Sequence, residues 1–418
     1  MQPIRRITRL SLAGIVLLAG CTGSPHHPAP TTTTARTTAS SSSSAAPSAS
    51  PTVAPASIDF SDCSTQFRAA INNAKAKTMV FSCGKLTVPL DYRQPTGPST
   101  QLFVVKIHSK SQRPADRIGS LLVNPGGPGG SGVNLAAGLV GALSDQLFAR
   151  FDLIGFDPRG VGLSGPLQCI SDKQKDQLAA ADPDPRTPAG RAAARQVAQA
   201  TVSGCVAKYG SALAHYNTEE TAHDMDLIRQ AVGDKKLNYL GFSYGTRLGA
   251  AYAHQFPTVI RAAVLDGAVD PVADELTTDE RQVKAFEQAF DQFAADCLTR
   301  PACASLGNPR AAVQALIASA DRTPIKSSRK GETRTATGGI VTIGVLSALY
   351  DQSQWPPLGD ALLAARRGDS AGLFALADNY LERDPSTGHY SNIEDANLAI
   401  NCNDSTLTIT DALVAARA

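Results

Sequence analysis

The chain has 418 residues, of which 43% are hydrophobic and 18% are charged, so it can bury a large core. Its formal net charge is +2 and no basic run occurs, which argues against a dedicated nucleic-acid surface. Spacings typical of metal sites, such as C-x-x-C and H-E-x-x-H, do not occur, so the sequence predicts no metal site and no cofactor.

The amino terminus is typical of an exported lipoprotein. Three arginines within the first nine residues precede an apolar run at 10–19, which is too short to span a bilayer. Residues 18–21 read Leu-Ala-Gly-Cys and match a bacterial lipobox, in which two or more acyl chains on Cys21 would anchor the chain stably. We expect residues 1–21 to be a lipoprotein signal peptide, Cys21 to carry lipid (palmitate), and the protein to sit on the extracytoplasmic face of the cell membrane. A plain secretory signal with a coincidental cysteine is the alternative.

Residues 22–57 are mainly Ser, Thr, Ala and Pro. They offer almost no apolar side chain to bury, so we expect a disordered tether. The globular core is predicted to begin at residue 58 and to extend to residue 270.

Two early strands are predicted at 102–107 and 120–123, and a glycine-rich loop follows the second. The loop at 124–132 reads Asn-Pro-Gly-Gly-Pro-Gly-Gly-Ser-Gly. Acyl transfer needs backbone N–H donors aimed at the developing oxyanion, and glycine lets the backbone approach the substrate closely. We predict that the Gly127 N–H is one of these donors. A flexible loop or a phosphate cradle is the alternative, although the lysine of a phosphate loop is absent.

The segment 151–164 is predicted to be a strand that ends in a tight, charged loop. Asp157 and Arg159 in this loop could be catalytic. We favour a structural ion pair between them, which would hold the loop beside the active site.

The most informative motif is Gly-Phe-Ser-Tyr-Gly at 241–245. It lies between an apolar strand at 237–240 and a predicted helix at 246–256, which is the setting of a nucleophile elbow. The start of the helix would supply free N–H groups and a positive dipole end beside the serine. We predict Ser243 as the nucleophile and the Tyr244 N–H as the second oxyanion donor. An ordinary strand-to-helix turn with a surface serine is the alternative.

Residues 271–396 show helical periodicity and are predicted to form a helical cap, with 397–418 beginning a C-terminal part of the core. A helical excursion is also expected at 169–216.

Six motifs in this order resemble the secreted tripeptidyl-aminopeptidase-like serine hydrolases of actinobacteria, relatives of the proline iminopeptidases. They are CGKLTVPLDY, NPGGPGGSG, FDLIGFDPRGVGLS, LNYLGFSYGTRLGAAYA, VLDGAVDP and AINCND. The resemblance implies an α/β-hydrolase fold, with an eight-stranded, mostly parallel sheet and a helical cap. It also implies that the protein releases short peptides from the amino terminus of its substrates. A cell-envelope esterase or lipase is an alternative, and a non-catalytic lipoprotein is another; the oligomeric state stays open.

The acid and base of a catalytic triad are not recognisable in the sequence. In this fold they follow the nucleophile along the chain. His254 is eleven residues beyond Ser243 in the same predicted helix, about 16 Å along its axis. His389 lies in a turn-like segment, and Asp266 is the best placed acid, although we favour a structural role for it. The remaining histidines of the core are interpreted as structural or surface residues: His108, His215 and His223. We therefore expect a truncated chain that lacks the last core strands and is weakly active or inactive.

Seven cysteines remain once Cys21 is assigned to lipid. Proximity in sequence favours three disulfides, although connectivity does not follow rigorously from spacing. The expected pairs are Cys63–Cys83, Cys169–Cys205 and Cys297–Cys303. Cys402 is expected to be unpaired.

Overall fold

A computed structural model describes residues 56–71, 73–182 and 187–405, together with residues 407, 410, 412, 413 and 416. The predicted signal peptide, Cys21 and nearly all of the predicted tether lie outside the described residues. No helix of the described part is long and apolar enough to cross a membrane.

The centre of the molecule is one sheet of seven strands in the order β1-β2-β3-β5-β4-β6-β7. The strands are β1 (Ser61–Asp62), β2 (Met79–Pro89), β3 (Ser99–Ser109), β4 (Gly119–Asn124), β5 (Phe151–Phe156), β6 (Leu237–Phe242) and β7 (Ile260–Asp266). The first three strands and β5 pair antiparallel, whereas β5, β4, β6 and β7 form a parallel half.

The parallel half positions the predicted site. Strands β4 and β5 are buried almost throughout, as expected for parallel strands that are covered on both faces. Val123 and Asn124 at the end of β4 pair with Leu240 and Gly241 at the end of β6. Because the carboxyl ends of parallel strands share one edge of the sheet, the loops after β4 and β6 meet there.

Helices pack against both faces of the sheet. They are α1 (Ser64–Ala70), α2 (Gly132–Ala142), α3 (Asp145–Arg150), α6 (Thr218–Ala231) and α7 (Tyr244–Gln255). Between α3 and α6, the helices α4 (Asp172–Ala180) and α5 (Pro188–Tyr209) form the predicted excursion, and Ala179 of α4 packs on the later helices. One apolar cluster joins α2 and α3 to the sheet through Val140 and Phe148. A second cluster joins α6 and α7 to the other face through Met225 and Leu248. The result is a three-layer α/β arrangement.

The predicted helical region after β7 forms a cluster of helices with its own core. They are α8 (Glu275–Thr299), α9 (Pro301–Ala304), α10 (Pro309–Arg322), α11 (Gly338–Leu349), α12 (Trp355–Arg366) and α13 (Ala371–Tyr380). Phe293, Ile317 and Val345 are among the buried residues that hold them together. A further helix, α14 (Ile393–Asp404), returns to the sheet layer, where its Ala396 and Ile400 pack. The domain boundary predicted between residues 396 and 397 falls inside this continuous helix.

Strand β7 lies at an edge of the sheet and pairs only with β6 among the described residues. Its side chains are exposed after the first residue, including Val264 at 58% and Leu265 at 41%. An apolar edge strand of this kind is a site for unwanted pairing with other chains.

Three disulfides join Cys63 to Cys83, Cys169 to Cys205 and Cys297 to Cys303, which are the pairs expected from the sequence. The expectation that Cys402 is unpaired is wrong, because Cys402 is disulfide-bonded in the structure.

Candidate active site

Ser243 occupies a strained turn between β6 and α7. Its backbone has φ 51° and ψ −124°, a conformation that costs a residue with a side chain of order 1–3 kcal/mol. The turn is tight because a Cβ on Gly241 would lie only 2.5 Å from the Gly245 carbonyl oxygen. A Cβ on Gly245 would lie 2.8 Å from the Asn124 carbonyl oxygen. Both flanking positions therefore require glycine, as a nucleophile elbow does.

Neighbouring elements hold this turn in place. The Ser243 N–H donates to the Asp266 carbonyl oxygen at 2.9 Å, so the end of β7 supports the turn. The Thr246 hydroxyl donates to the Ser243 carbonyl oxygen at 2.7 Å. Tyr244 is the first residue of α7, so its N–H has no acceptor within the helix. The contact that Asp266 makes with Ser243 is thus made by the Asp266 main chain.

The glycine-rich loop after β4 lies directly against Ser243. A Cβ on Gly126 would lie 3.1 Å from the Ser243 Cβ and 2.9 Å from the Tyr244 nitrogen. Gly127 is one residue further, a Cα–Cα step of about 3.8 Å. Both glycines have positive φ, 92° and 110°. The structure thus brings together Ser243, Gly127 and Tyr244, which the sequence predicted as nucleophile and oxyanion donors.

Asp157 anchors the far end of this loop. Its carboxylate accepts hydrogen bonds from the Ser131 hydroxyl at 2.5 Å, the Val133 N–H at 3.2 Å and the Leu163 N–H at 2.8 Å. Burial raises the pKa of Asp157, although these hydrogen bonds oppose the shift. Asp157 thus fixes the start of α2 relative to the loop after β5.

Arg159 does not pair with Asp157, so the predicted ion pair between them is wrong. The Arg159 side chain is fully buried and makes two hydrogen bonds to Asp224 on α6, at 2.8 and 2.7 Å. It also donates to three main-chain carbonyl oxygens, those of Leu90, His215 and Pro89. Both residues are structural, as the sequence suggested, but each through a different partner.

A further support of the site, which the sequence did not predict, lies at the Tyr244 side chain. The Thr218 hydroxyl hydrogen-bonds both the Tyr244 hydroxyl and the Asp404 carboxylate, and the Thr218 N–H donates to Asp404 at 2.9 Å. Burial raises the pKa of Tyr244 and also that of Asp404. Asp404 belongs to the AINCND motif, one of the six motifs that carried the resemblance.

No hydrogen bond or ring contact joins a histidine of the described core to Ser243. His389 lies in an exposed turn, and its Nδ1 is 3.0 Å from Asp172. His254 is in the last turn of α7, and His223 stacks on Tyr92 with ring centroids 4.7 Å apart. His108 lies in the β2–β3 ladder. None of these contacts involves Ser243.

One group of side chains has the composition of a metal site. Asp91, His215 and Glu220 offer ligand atoms within 4.8 Å of one another. Asp91, however, pairs with Arg93 at 3.0 Å, and Glu220 lies 3.8 Å from Arg159. Because two arginines already face these carboxylates, internal charge pairing accounts for the group.

Comparisons with known proteins agree with this geometry. A family model for the alpha/beta hydrolase fold matches residues 119–396. Serine protease Hip1 of Mycobacterium tuberculosis is 43% identical over 338 residues, which are 77% of this chain and 63% of that protein. Carboxylesterase B of the same organism is 39% identical over 327 residues, which are 77% of this chain and 62% of that protein.

Tripeptidyl aminopeptidase of Streptomyces lividans is 35% identical over 364 residues, which are 84% of this chain and 64% of that protein. The chain thus spans somewhat less than two thirds of the length of these three relatives. The family match covers the strands β4 to β7, the glycine-rich loop, the serine turn and the helical cluster. The chain therefore belongs to the alpha/beta hydrolase family.

Proposed function

We propose that the protein is a serine hydrolase that works through an acyl-enzyme at Ser243. The Ser243 oxygen attacks the substrate carbonyl, and the negative charge that develops on the carbonyl oxygen is bound by the Gly127 and Tyr244 N–H groups. The intermediate then expels an amine or alcohol, which takes up a proton, and water releases the acyl group. The observation that carries this proposal is the strained Ser243 turn with Gly126 packed against it.

The proposed substrates are peptides, from which the enzyme releases short fragments at the amino terminus. Support comes from the names of two relatives, a serine protease and a tripeptidyl aminopeptidase. A cell-envelope ester is the alternative substrate, because a third relative is named a carboxylesterase. Both chemistries use the same nucleophile and oxyanion donors.

The proposed location is the outer face of the cell membrane, to which the amino-terminal signal segment would direct the chain. The lipobox at 18–21 supports this, and three disulfides suit an oxidising compartment.

We further propose that the 418-residue chain acylates slowly by itself. A serine hydroxyl is a weak nucleophile at neutral pH without an adjacent base. The support is that two histidines of the described core have other partners, His389 with Asp172 and His223 with Tyr92. A lipoprotein without catalytic function is the corresponding alternative.

Covalent probes test the substrate class without requiring turnover. The purified chain would be treated with a tripeptidyl diphenylphosphonate bearing a free amino terminus and, separately, with a long-chain alkyl fluorophosphonate. Each labelling rate would be divided by the rate of the same probe with trypsin, which corrects for intrinsic reactivity. Peptidase specificity predicts that the corrected rate is higher for the peptidyl probe than for the alkyl probe. The reverse order would favour the esterase, and labelling that persists in Ser243→Ala would reject the proposed nucleophile.

A further inference from the structure

Helix α14 contacts the glycine-rich loop just after the proposed oxyanion donor Gly127. The Asn397 side-chain amide donates to the Pro128 carbonyl oxygen at 3.0 Å. A Cβ on Gly129 would lie only 3.2 Å from the Asn397 main-chain nitrogen, so the backbones of the loop and the helix are in close contact. Asn397 therefore fixes the loop on the carboxyl side of Gly127.

The other end of α14 holds the second proposed donor, Tyr244, through an intervening threonine. Asp404 is the last residue of the helix, and it accepts hydrogen bonds from the Thr218 N–H at 2.9 Å and from the Thr218 hydroxyl. That hydroxyl has one proton. Because it donates this proton to Asp404, it accepts from the Tyr244 hydroxyl, which it also contacts. The buried Tyr244 ring connects this chain of hydrogen bonds to the Tyr244 main-chain N–H.

One face of α14 connects these two contacts. Asn397, Asn401 and Asp404 are spaced by four and three residues, which places them on the same face of a helix. The Asn401 amide donates to the Asn397 side-chain oxygen at 3.0 Å and so fixes the orientation of the Asn397 amide. Asp404 is seven positions after Asn397, about 10.5 Å along the helix axis. The helix is therefore a spacer between the loop that carries Gly127 and the hydrogen bonds that hold Tyr244.

These polar contacts could instead serve only to attach α14 to the rest of the molecule. Apolar side chains of the same helix already do this, since Ala396 and Ile400 are buried in the cluster that covers one face of the sheet. Burial raises the pKa of Asp404, although its hydrogen bonds from Thr218 oppose the shift. An apolar residue of similar volume would be buried at less cost. What the polar groups add is a defined geometry beside each donor.

We propose that α14 sets the separation of the two oxyanion donors, Gly127 and Tyr244. Asn397 is the positioning residue for Gly127. Asp404, acting through Thr218, is the positioning residue for Tyr244. The inference rests on the proposed serine hydrolase function. Donors stabilise an oxyanion at about 2.7–3.1 Å from the oxygen, and a misplacement of about 1 Å can lower a rate about 100-fold.

The test measures the rate at which an alkyl fluorophosphonate labels Ser243 at several probe concentrations. This series separates the maximal labelling rate from the concentration that gives half of it. Each variant is measured at a temperature at which circular dichroism shows it to be folded. Thr218→Val keeps the size of the side chain and removes the hydroxyl, and Asn397→Ala removes the amide. Each should lower the maximal rate about 10-fold, less than the roughly 100- to 1000-fold for a donor that is lost outright, with the half-maximal concentration unchanged.

Two controls separate positioning from stability. Thr218→Ser retains the hydroxyl and should label at the parent rate. Asn238→Ala is matched to Asn397→Ala, because the Asn238 amide also donates to a main-chain carbonyl oxygen, that of Ser120 at 2.8 Å, but near the amino end of β6. It should lower the melting temperature and leave the maximal rate unchanged. Tyr244→Phe should match Thr218→Val, and the double variant should be no slower than either, because both changes break the same link.

A second readout reports on the donors themselves. The phosphorus NMR shift of the Ser243 adduct depends on the hydrogen bonds to the phosphoryl oxygen. In Thr218→Val and Asn397→Ala it should therefore move toward the shift of the unfolded adduct. Lower melting temperatures with unchanged maximal rates and unchanged shifts would indicate a purely structural role and overturn the inference. If Ser243 is not labelled in the parent, the proposed function fails as well. If it is labelled and the variants match the parent, only the role of α14 is rejected.

Discussion

Replacing Asp224 by asparagine should destabilise the protein strongly, because it leaves the buried Arg159 without a counter-charge. Both side chains are fully buried, and Asp224 accepts two of the five hydrogen bonds that the guanidinium donates. Asp224 also accepts a hydrogen bond from the Tyr92 hydroxyl at 2.8 Å. The substitution keeps the shape of the side chain, removes its charge and replaces one acceptor oxygen with an NH2 donor.

Breaking a buried ion pair by removing one partner costs about 3–5 kcal/mol. The amide oxygen of asparagine can still accept one hydrogen bond, so we expect a value near the lower end, about 3 kcal/mol. The measurement is urea unfolding followed by tryptophan fluorescence and circular dichroism, with the midpoint shifted and the slope unchanged. Trp355, the single tryptophan, lies in the helical cluster, so circular dichroism is needed to follow the helices and strands of the rest of the molecule.

Asp116→Asn is the matched control. Asp116 pairs with Arg113 at 2.6 Å, but the two side chains are 34% and 78% exposed. An exposed pair contributes at most about 1 kcal/mol. If Asp224→Asn lost less than this, or no more than the control, the argument that Arg159 depends on Asp224 would be refuted.

Four further outcomes are expected. Gly126→Ala should slow fluorophosphonate labelling by about 100-fold, because its Cβ would lie 2.5 Å from the Phe242 carbonyl oxygen; Gly138→Ala, with no atom within 4 Å, should label normally. His389→Ala should leave the labelling rate unchanged, since this ring contacts Asp172, and a tenfold loss would identify it as the base after all. Val264→Lys should reduce concentration-dependent light scattering, because it places a charge on the exposed edge strand; unchanged scattering would locate self-association elsewhere. Burial opposes the shift at Glu332, but hydrogen bonds from Arg334 and Arg329 lower its pKa to about 2. A depressed folded-state pKa gives stability that is present above the unfolded value of 4.5 and lost toward pH 2. The difference in melting temperature between the parent and Glu332→Gln should therefore become smaller as the pH is lowered from 4.5 to about 2. A difference that stays constant over this pH range would contradict the stabilising role of ionised Glu332.

The serine turn and its neighbouring loop were predictable because their signals are local. A strand, two flanking glycines and a helix follow one another within twenty residues around Ser243, and the glycine-rich loop follows its own strand in the same way. Glycine is needed at positions 241 and 245 because a Cβ there would meet nearby backbone atoms, so the requirement is visible in the local sequence. The predicted helix began two residues late, since Tyr244 and Gly245 already belong to α7.

The contacts that support the site were not predictable in this way. Arg159 pairs with a residue 65 positions later, and Thr218 pairs with one 186 positions later. No periodicity or spacing links such residues, so a nearby Asp157 was the natural but wrong partner for Arg159. The antiparallel strand β2 was likewise not assigned as a strand, although part of it lies in one of the motifs that carried the resemblance.

The central claim is that Ser243 is a nucleophile held beside two oxyanion donors. Peptide mapping of the chain after prolonged treatment with an alkyl fluorophosphonate tests this claim most directly. We expect one slowly formed phosphonyl adduct, located on Ser243 and absent from Ser243→Ala. An adduct on a different residue, or equal labelling of the parent and Ser243→Ala, would contradict it.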